Sequence, residues 1–122
     1  MIPVMILLAS AASSNARAPG FPQEYLGRWG DDQAGCSEGA IHGGLTIERK
    51  EVRDGEFSGD VRRVRRKPDG SIEVVERWDV PEEGPSDVVS NYRLSKDKKS
   101  LTVKVIGESV QTQTLIRCPV PK

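Results

Sequence analysis

The sequence predicts an all-β protein, a small antiparallel up-and-down meander of about seven to eight strands that closes into a barrel. Apolar and polar residues alternate in short segments, and Gly, Pro and Asp separate these segments at intervals of roughly ten to fifteen residues. No segment after residue 30 shows a helical period. Closure is expected because a flat meander would expose two strand edges and one apolar face.

The region before the first strand is predicted to be extended. Pro19 and Pro22 exclude a helix there, although residues 23–26 could form one helical turn. Residues 27–30 then open the first strand, and residues 31–44 form a glycine-rich loop. The barrel proper is therefore expected to begin close to residue 27.

The later strands are bounded by turns whose residue types have a defined backbone preference. Asp54-Gly55 is typical of a hairpin, and Pro68-Asp69-Gly70 combines a proline that fixes one dihedral with a glycine that permits the next. The expected strands cover residues 27–30, 45–50, 57–66, 72–80, 87–95, 101–105 and 110–118.

Alternation within these strands also predicts their inner faces. Val61 and Val64 are three residues apart rather than two, which predicts a β-bulge near Arg62 and Arg63. The segment 72–80 is rich in β-branched and aromatic residues. The expected inner face of the next strand consists of Val88, Ser90, Tyr92 and Leu94.

The first eighteen residues predict a signal peptide rather than part of the folded domain. Residues 2–8 are apolar and small residues follow them, as in the hydrophobic and cleavage regions of secretory signals. The run is shorter than the roughly 20 residues that span a bilayer. We therefore expect a signal peptide at 1–18, a single domain at 19–122, a periplasmic or secreted location and no stable membrane anchor. Cleavage after Ala16 or Ala11 is an alternative.

The charge balance excludes partners that are recognised by a strong global field. The chain has 18 basic and 18 acidic residues, and loss of residues 1–18 removes only Arg17, which leaves 17 against 18. A nearly neutral protein is not steered towards nucleic acid or anionic lipid. We expect a monomer that binds neither.

Two cysteines in an oxidising compartment predict one intramolecular disulfide, between Cys36 and Cys118. The bridge would close a loop of roughly 80 residues, which the chain-entropy model values at about 4–5 kcal/mol. In an up-and-down barrel the first and last strands are neighbours, so this bridge would join them. A metal-binding pair is disfavoured because the chain lacks a C-x-x-C spacing and has only His42 as a further ligand.

The Gly27-x-Trp29 pattern on the first strand, after a short helical turn, resembles the first-strand motif of lipocalin-like barrels. The resemblance implies that Trp29 packs across the closed end of the barrel. The chain is also similar to small secreted bacterial inhibitors of serralysin-type metalloproteases, which have an extended amino-terminal arm. The arm would be residues 18–22 here, although the bridge to Cys118 departs from that family's short disulfide loop.

The densest charge run, at residues 62–67, has two interpretations. It could bind phosphate, an anionic polysaccharide or an acidic partner. Alternatively, pairing across the turn sets it against Glu73 and Glu76 in cross-strand ion pairs. Its members are Arg62, Arg63, Arg65, Arg66 and Lys67.

No residue pattern predicts catalysis, a metal site or a cofactor. His42 lies in a glycine-rich loop without a recognisable nucleophile or orienting group, and Glu82-Glu83 matches no known calcium loop. We therefore expect a non-catalytic protein that binds another extracytoplasmic protein or a small apolar ligand. A ligand would require a cavity among Trp29, Trp78 and Tyr92. The alternative is a metalloprotease inhibitor that acts through its amino-terminal arm.

Overall fold

Eight antiparallel strands close into a barrel in which each strand pairs with its neighbours in sequence and the last pairs with the first. This computed structural model describes residues 20–31, 36, 44–55, 57–107 and 111–119, so the predicted signal peptide lies outside the described residues. The strands are β1 (Gly27–Gly30), β2 (Leu45–Glu48), β3 (Glu51–Asp54), β4 (Phe57–Arg66), β5 (Ile72–Val80), β6 (Gly84–Leu94), β7 (Ser100–Ile106) and β8 (Gln111–Arg117). The predicted meander and its closure are confirmed.

Strand β3 is the element that the sequence did not predict. Arg49 and Lys50 form a two-residue turn between β2 and β3, and Glu48 pairs with Glu51 across it. Neither turn residue is a Gly, Asn or Asp, so the turn lacks the usual hairpin signature. Strand β6 also begins earlier than predicted, at Gly84.

The predicted bulge in β4 is confirmed. Val61 pairs with Glu76 and Arg63 pairs with Val75, so Arg62 is the extra residue on β4. Arg62 is exposed, whereas Val64 on the other side of the bulge is buried. The bulge therefore keeps an apolar residue on the inner face both before and after a run of arginines.

One end of the barrel is closed by the segment before β1. A 3₁₀ turn at Gln23–Tyr25 follows Phe21, whose N–H donates to the carbonyl of Arg49 at 2.8 Å. The Phe21 ring meets the Tyr92 ring edge-on, with centroids 5.0 Å apart. Trp29 is buried beside this plug, and its Nε1 donates to the carbonyl of Tyr25 at 3.0 Å. Aromatic rings thus fill the closed end.

Arg117 holds the plug on the barrel. Its guanidinium lies 4.2 Å from the centroid of the Trp29 ring and donates to the carbonyls of Glu24 at 2.6 Å and Leu26 at 3.1 Å. A third hydrogen bond reaches the carbonyl of Lys98 at 3.0 Å. One cation on β8 therefore ties together the plug, the first strand and the β6–β7 turn.

The seam between β1 and β8 is short and is reinforced by sulfur. Only two residue pairs join these strands, Trp29 with Arg117 and Gly30 with Ile116. Just beyond β8, the Cys118 N–H donates to the carbonyl of Arg28 at 2.9 Å. Cys118 is also disulfide-bonded to Cys36, with Cα atoms 5.2 Å apart. The predicted pairing of the two cysteines at the first and last strands is confirmed.

Removing the disulfide is expected to destabilise the barrel strongly. Its cysteines are 82 residues apart. The double variant Cys36→Ala/Cys118→Ala should lose about 4–5 kcal/mol of unfolding free energy, because the unfolded chain regains the entropy of an open loop. Urea denaturation checks this, with reduced wild-type protein as the matched control. An unchanged denaturation midpoint in both samples would contradict a role of the bridge in closure.

Replacing Arg117 is expected to loosen the closed end. Arg117→Met keeps the length of the side chain but loses the contact with Trp29 and the hydrogen bonds to three carbonyls, which should cost about 2–4 kcal/mol. Arg65→Met is the matched control, since Arg65 makes one exposed ion pair with Glu73, and its loss should cost less than about 1 kcal/mol. Equal effects of the two substitutions, measured by urea denaturation, would contradict this role of Arg117.

Candidate functional site

The interior of the barrel is open at the end opposite the plug. A cavity of about 370 Å³ extends inwards from this end. Most of its wall is aliphatic or aromatic, while a few polar side chains converge on it. Its lining consists of Leu45, Val52, Asp54, Phe57, Glu76, Trp78, Val80, Glu83, Ser86, Val88, Ser90, Tyr92, Val103, Val105 and Gln113. The barrel therefore has one packed half and one hollow half.

Tyr92 forms the boundary between these two halves. Its ring contacts Phe21 of the plug, and its backbone carbonyl accepts a hydrogen bond from the Tyr25 hydroxyl at 3.5 Å. Its own hydroxyl reaches into the cavity and donates to Oε2 of Glu76. The plug thus fixes the ring that orients the deepest polar group of the cavity.

Glu76 is a buried carboxyl group on the cavity wall, with 2% of its surface exposed. The two-residue period of β5 places it on the same face as Val74 and Trp78. Trp78 Nε1 donates to its Oε1 at 2.9 Å, and Tyr92 donates to its Oε2. Each carboxylate oxygen can accept two hydrogen bonds, so these two donors and Ser90 still leave acceptor capacity for a ligand.

Burial controls the proton affinity of this pair. It raises the pKa of the Glu76 carboxyl, and hydrogen bonds from Tyr92, Trp78 and Ser90 offset part of that rise. Burial also raises the pKa of Tyr92 well above its ordinary value, and the neighbouring Glu76 raises it further. Tyr92 is therefore a hydroxyl donor throughout the physiological range.

Among the described residues, the cavity lining contains three acidic side chains and no basic one. Asp54 and Glu83 line it together with Glu76, and burial followed by the charge of nearby Asp31 raises the pKa of Asp54. Gln113, also on the wall, donates to Asp31 at 3.0 Å. The described wall of the cavity is therefore mostly apolar, with a few neutral polar groups and three carboxyl groups.

The bulge in β4 explains why Glu76 has no cationic neighbour across the strands. Without the extra residue, the register from Arg66–Ile72 to Arg63–Val75 would place Arg62 directly opposite Glu76 on the inner face. The bulge brings Val61 to that position instead and leaves Arg62 exposed. Glu76 is consequently opposed by an aliphatic side chain.

Trp78 lies in the wall because its strand partner is a glycine. Gly59 pairs with Trp78, and a Cβ at position 59 would lie 2.5 Å from the indole ring. Only glycine lets the ring lie this close to the β4 backbone. Gly59 is thus part of the site, although it offers no functional group.

The structure places two of the three predicted cavity residues in the cavity wall. Trp78 and Tyr92 line the cavity, whereas Trp29 packs beside the plug at the closed end. Trp29 lies on the first strand, as predicted, but the Trp29 ring packs in the closed half of the barrel and not in the cavity wall. The expected inner face of β6 is confirmed, since Ser90 and Tyr92 are buried.

The ion-pair interpretation of the basic run is confirmed for one pair and wrong for another. Arg65 binds Glu73 with an N–O distance of 3.0 Å on the outer face. Glu76 forms no such pair because it faces the interior, and Lys67 donates to Asn91 at 3.3 Å. The alternation of Ile72, Val74 and Trp78 was the signal that could have placed Glu76 inside.

The remaining candidate residues contribute no described site. His42 lies outside the described residues, and within the described part no group of three or more His, Cys, Asp or Glu side chains could hold a metal ion. No helix among the described residues is long and apolar enough to cross a membrane. No family model, curated protein or solved structure matches this chain.

Titration of Glu76 is expected to make the barrel less stable as the pH rises. The folded-state pKa of Glu76 is raised, so the folded protein holds this proton more tightly than the unfolded chain. The unfolding free energy should therefore fall as the pH rises from about 4.3 through the folded-state pKa, by about 1.4 kcal/mol for each unit of the rise in pKa. Glu76→Gln should remove this loss.

The measurement is the difference in unfolding free energy between wild type and Glu76→Gln, from urea denaturation at pH 4 to 8. That difference should shift in favour of the variant as the pH rises. Glu73→Gln, which removes a carboxyl from the outer face of the same strand, is the matched control. A difference that stays constant across this range would contradict the burial of an ionisable carboxyl at position 76.

Proposed function

We propose that this protein is an extracytoplasmic, non-catalytic binding protein whose barrel cavity holds a small ligand with a largely apolar body. The observation that carries the proposal is the cavity of about 370 Å³, with an apolar wall and a buried carboxyl held by two aromatic donors. Ligand sites in proteins are typically cavities of roughly 300–1,000 Å³ in which a few polar groups orient the ligand. The cavity has both properties.

The distribution of packing supports a ligand rather than an incomplete core. At the closed end, the side chains of Phe21, Tyr25 and Trp29 are almost completely buried together with the strand residues around them. Towards the open end, the strands contribute Val80, Val88 and Val105 to the cavity wall. Larger side chains at these three positions would fill the space. A ligand that buried about 200 Å² of apolar surface against this wall would gain roughly 5 kcal/mol before the entropic cost of association.

The disulfide is compatible with an extracytoplasmic protein, since such bonds persist in oxidising compartments. It also supports a binding role in physical terms. A barrel that leaves half of its interior open has less apolar contact to stabilise it, and the bridge at the seam offsets that loss. The location and the hollow interior are therefore consistent with one another.

The inhibitor alternative stays a prediction that the structure does not favour. The arm would have to extend from the barrel, but Phe21 is 1% exposed and its backbone is hydrogen-bonded to Arg49. Residues 18 and 19 lie outside the described residues. The described part of the arm is a structural component of the closed end, which supports the cavity as the functional site.

Binding of the neutral dye N-phenyl-1-naphthylamine tests the proposal. The purified, oxidised protein should enhance the dye's fluorescence with a saturable titration. Val105→Trp, which fills the cavity, should weaken binding about tenfold or more, because the space for the naphthyl ring is lost. Val89→Trp is the matched control, since Val89 lies on the outer face of β6, where it pairs with Ile106. No saturable binding to wild type, or equal binding to both variants, would overturn the proposal.

A further inference from the structure

The polar groups in the cavity define the charge of the ligand, and this inference rests on the proposed function. We infer that the ligand is an amphipathic cation, an organic amine whose protonated nitrogen binds the Glu76 carboxylate. Its apolar body occupies the part of the cavity nearer the open end. Three features carry the inference: the position of Glu76, the missing internal cation and the aromatic side chains around the carboxyl group.

Glu76 lies deep in the cavity, where it can meet the head of a ligand. It is 2% exposed and adjoins Tyr92, the boundary of the packed half. Its two oxygens accept hydrogen bonds from Trp78 and Tyr92, which hold the carboxyl in one orientation. An ammonium group has three donors and no acceptor, so it can donate to the acceptor capacity that Trp78, Tyr92 and Ser90 leave free on the carboxylate.

Within the part of the chain that the structure describes, no side chain supplies a cation to this carboxylate. None of the described residues that line the cavity is basic, and the position across β4 is occupied by Val61 because the bulge leaves Arg62 exposed. A buried carboxylate without a counter-ion costs free energy, and that cost falls when a cation enters. A bound ammonium group would therefore lower the free-energy cost of keeping the Glu76 carboxylate buried.

The aromatic lining supports a cation and disfavours an anion. Trp78, Tyr92 and Phe57 line the same cavity. The negative faces of aromatic rings attract cations within about 6 Å, and aromatic side chains are a recurrent way to bind ammonium ligands. Asp54 and Glu83 add negative charge to the wall, which would attract a cation and repel a carboxylate ligand.

Three probes with one apolar body test the inference: 4-phenylbutylamine, 4-phenyl-1-butanol and 4-phenylbutanoate. They carry a cation, a neutral hydroxyl and an anion at neutral pH. Competition with N-phenyl-1-naphthylamine and isothermal titration calorimetry would give their dissociation constants on wild-type protein. The amine should bind about tenfold more tightly than the alcohol, and the carboxylate more weakly than the alcohol, because a hydrogen bond between two charged groups is stronger than a neutral one.

Glu76→Gln identifies the residue responsible. The variant should bind the amine and the alcohol with similar affinity, while the alcohol keeps its wild-type affinity. Glu73→Gln, on the outer face of β5, should keep the preference for the amine. A preference for the amine that survives Glu76→Gln would overturn the assignment to Glu76. The comparison of the three probes on wild type does not depend on how well the variant folds.

The outcomes separate this inference from the proposed function. If the dye binds but amine and alcohol bind equally, or the carboxylate binds best, the cationic ligand is wrong and the cavity remains a binding site. If neither the dye nor any of the three probes binds, both proposals fail. Tight binding of the amine that Val105→Trp does not weaken would place the amine outside the cavity and would also overturn the inference.

Discussion

Closure of the sheet depends on the contact between Arg117 and Trp29. Strands β1 and β8 share only two residue pairs, so backbone hydrogen bonds alone hold the seam weakly. The Arg117 guanidinium lies over the Trp29 ring, and its hydrogen bonds draw the plug and the β6–β7 turn to the same point. Gly27 has a φ of 128° at the start of β1, a conformation that glycine adopts without strain. Cys118, the residue after Arg117, is joined to Cys36 by the disulfide, which adds a covalent link beside this contact.

The packed half of the barrel makes the hollow half possible. Phe21, Tyr25 and Trp29, three of the six aromatic residues, lie at one end, where they are almost fully buried. The strands therefore need no further core at the other end to remain closed. Tyr92 connects the two regions, because one side of the residue packs on the plug and its hydroxyl holds the cavity carboxyl. The packing of the closed end therefore fixes Tyr92, and Tyr92 in turn orients the Glu76 carboxyl group.

A single extra residue in β4 sets the electrostatics of the cavity. The strand carries four arginines, and a regular register would direct one of them at Glu76. An internal ion pair at that point would satisfy the carboxylate and occupy the space beside it. The bulge instead leaves Arg62 exposed, and Arg65 binds Glu73 on the outer face, so the described cavity wall keeps its acids without an internal arginine. The same local irregularity thus separates a basic outer surface from an acidic interior.

The sequence by itself determined seven of the eight strands, their antiparallel order, the bulge near Arg62 and the pairing of Cys36 with Cys118, because each depends on local periodicity, turn chemistry or a simple count. It missed β3, whose turn at Arg49 and Lys50 carries no turn-forming residue. Only the tertiary structure decided that Arg117 lies on Trp29, that Trp29 takes no part in the cavity wall and that Glu76 faces the cavity. These contacts join residues far apart in the chain, and their geometry is defined only once the sheet has closed and the bulge has set which side chains point inwards.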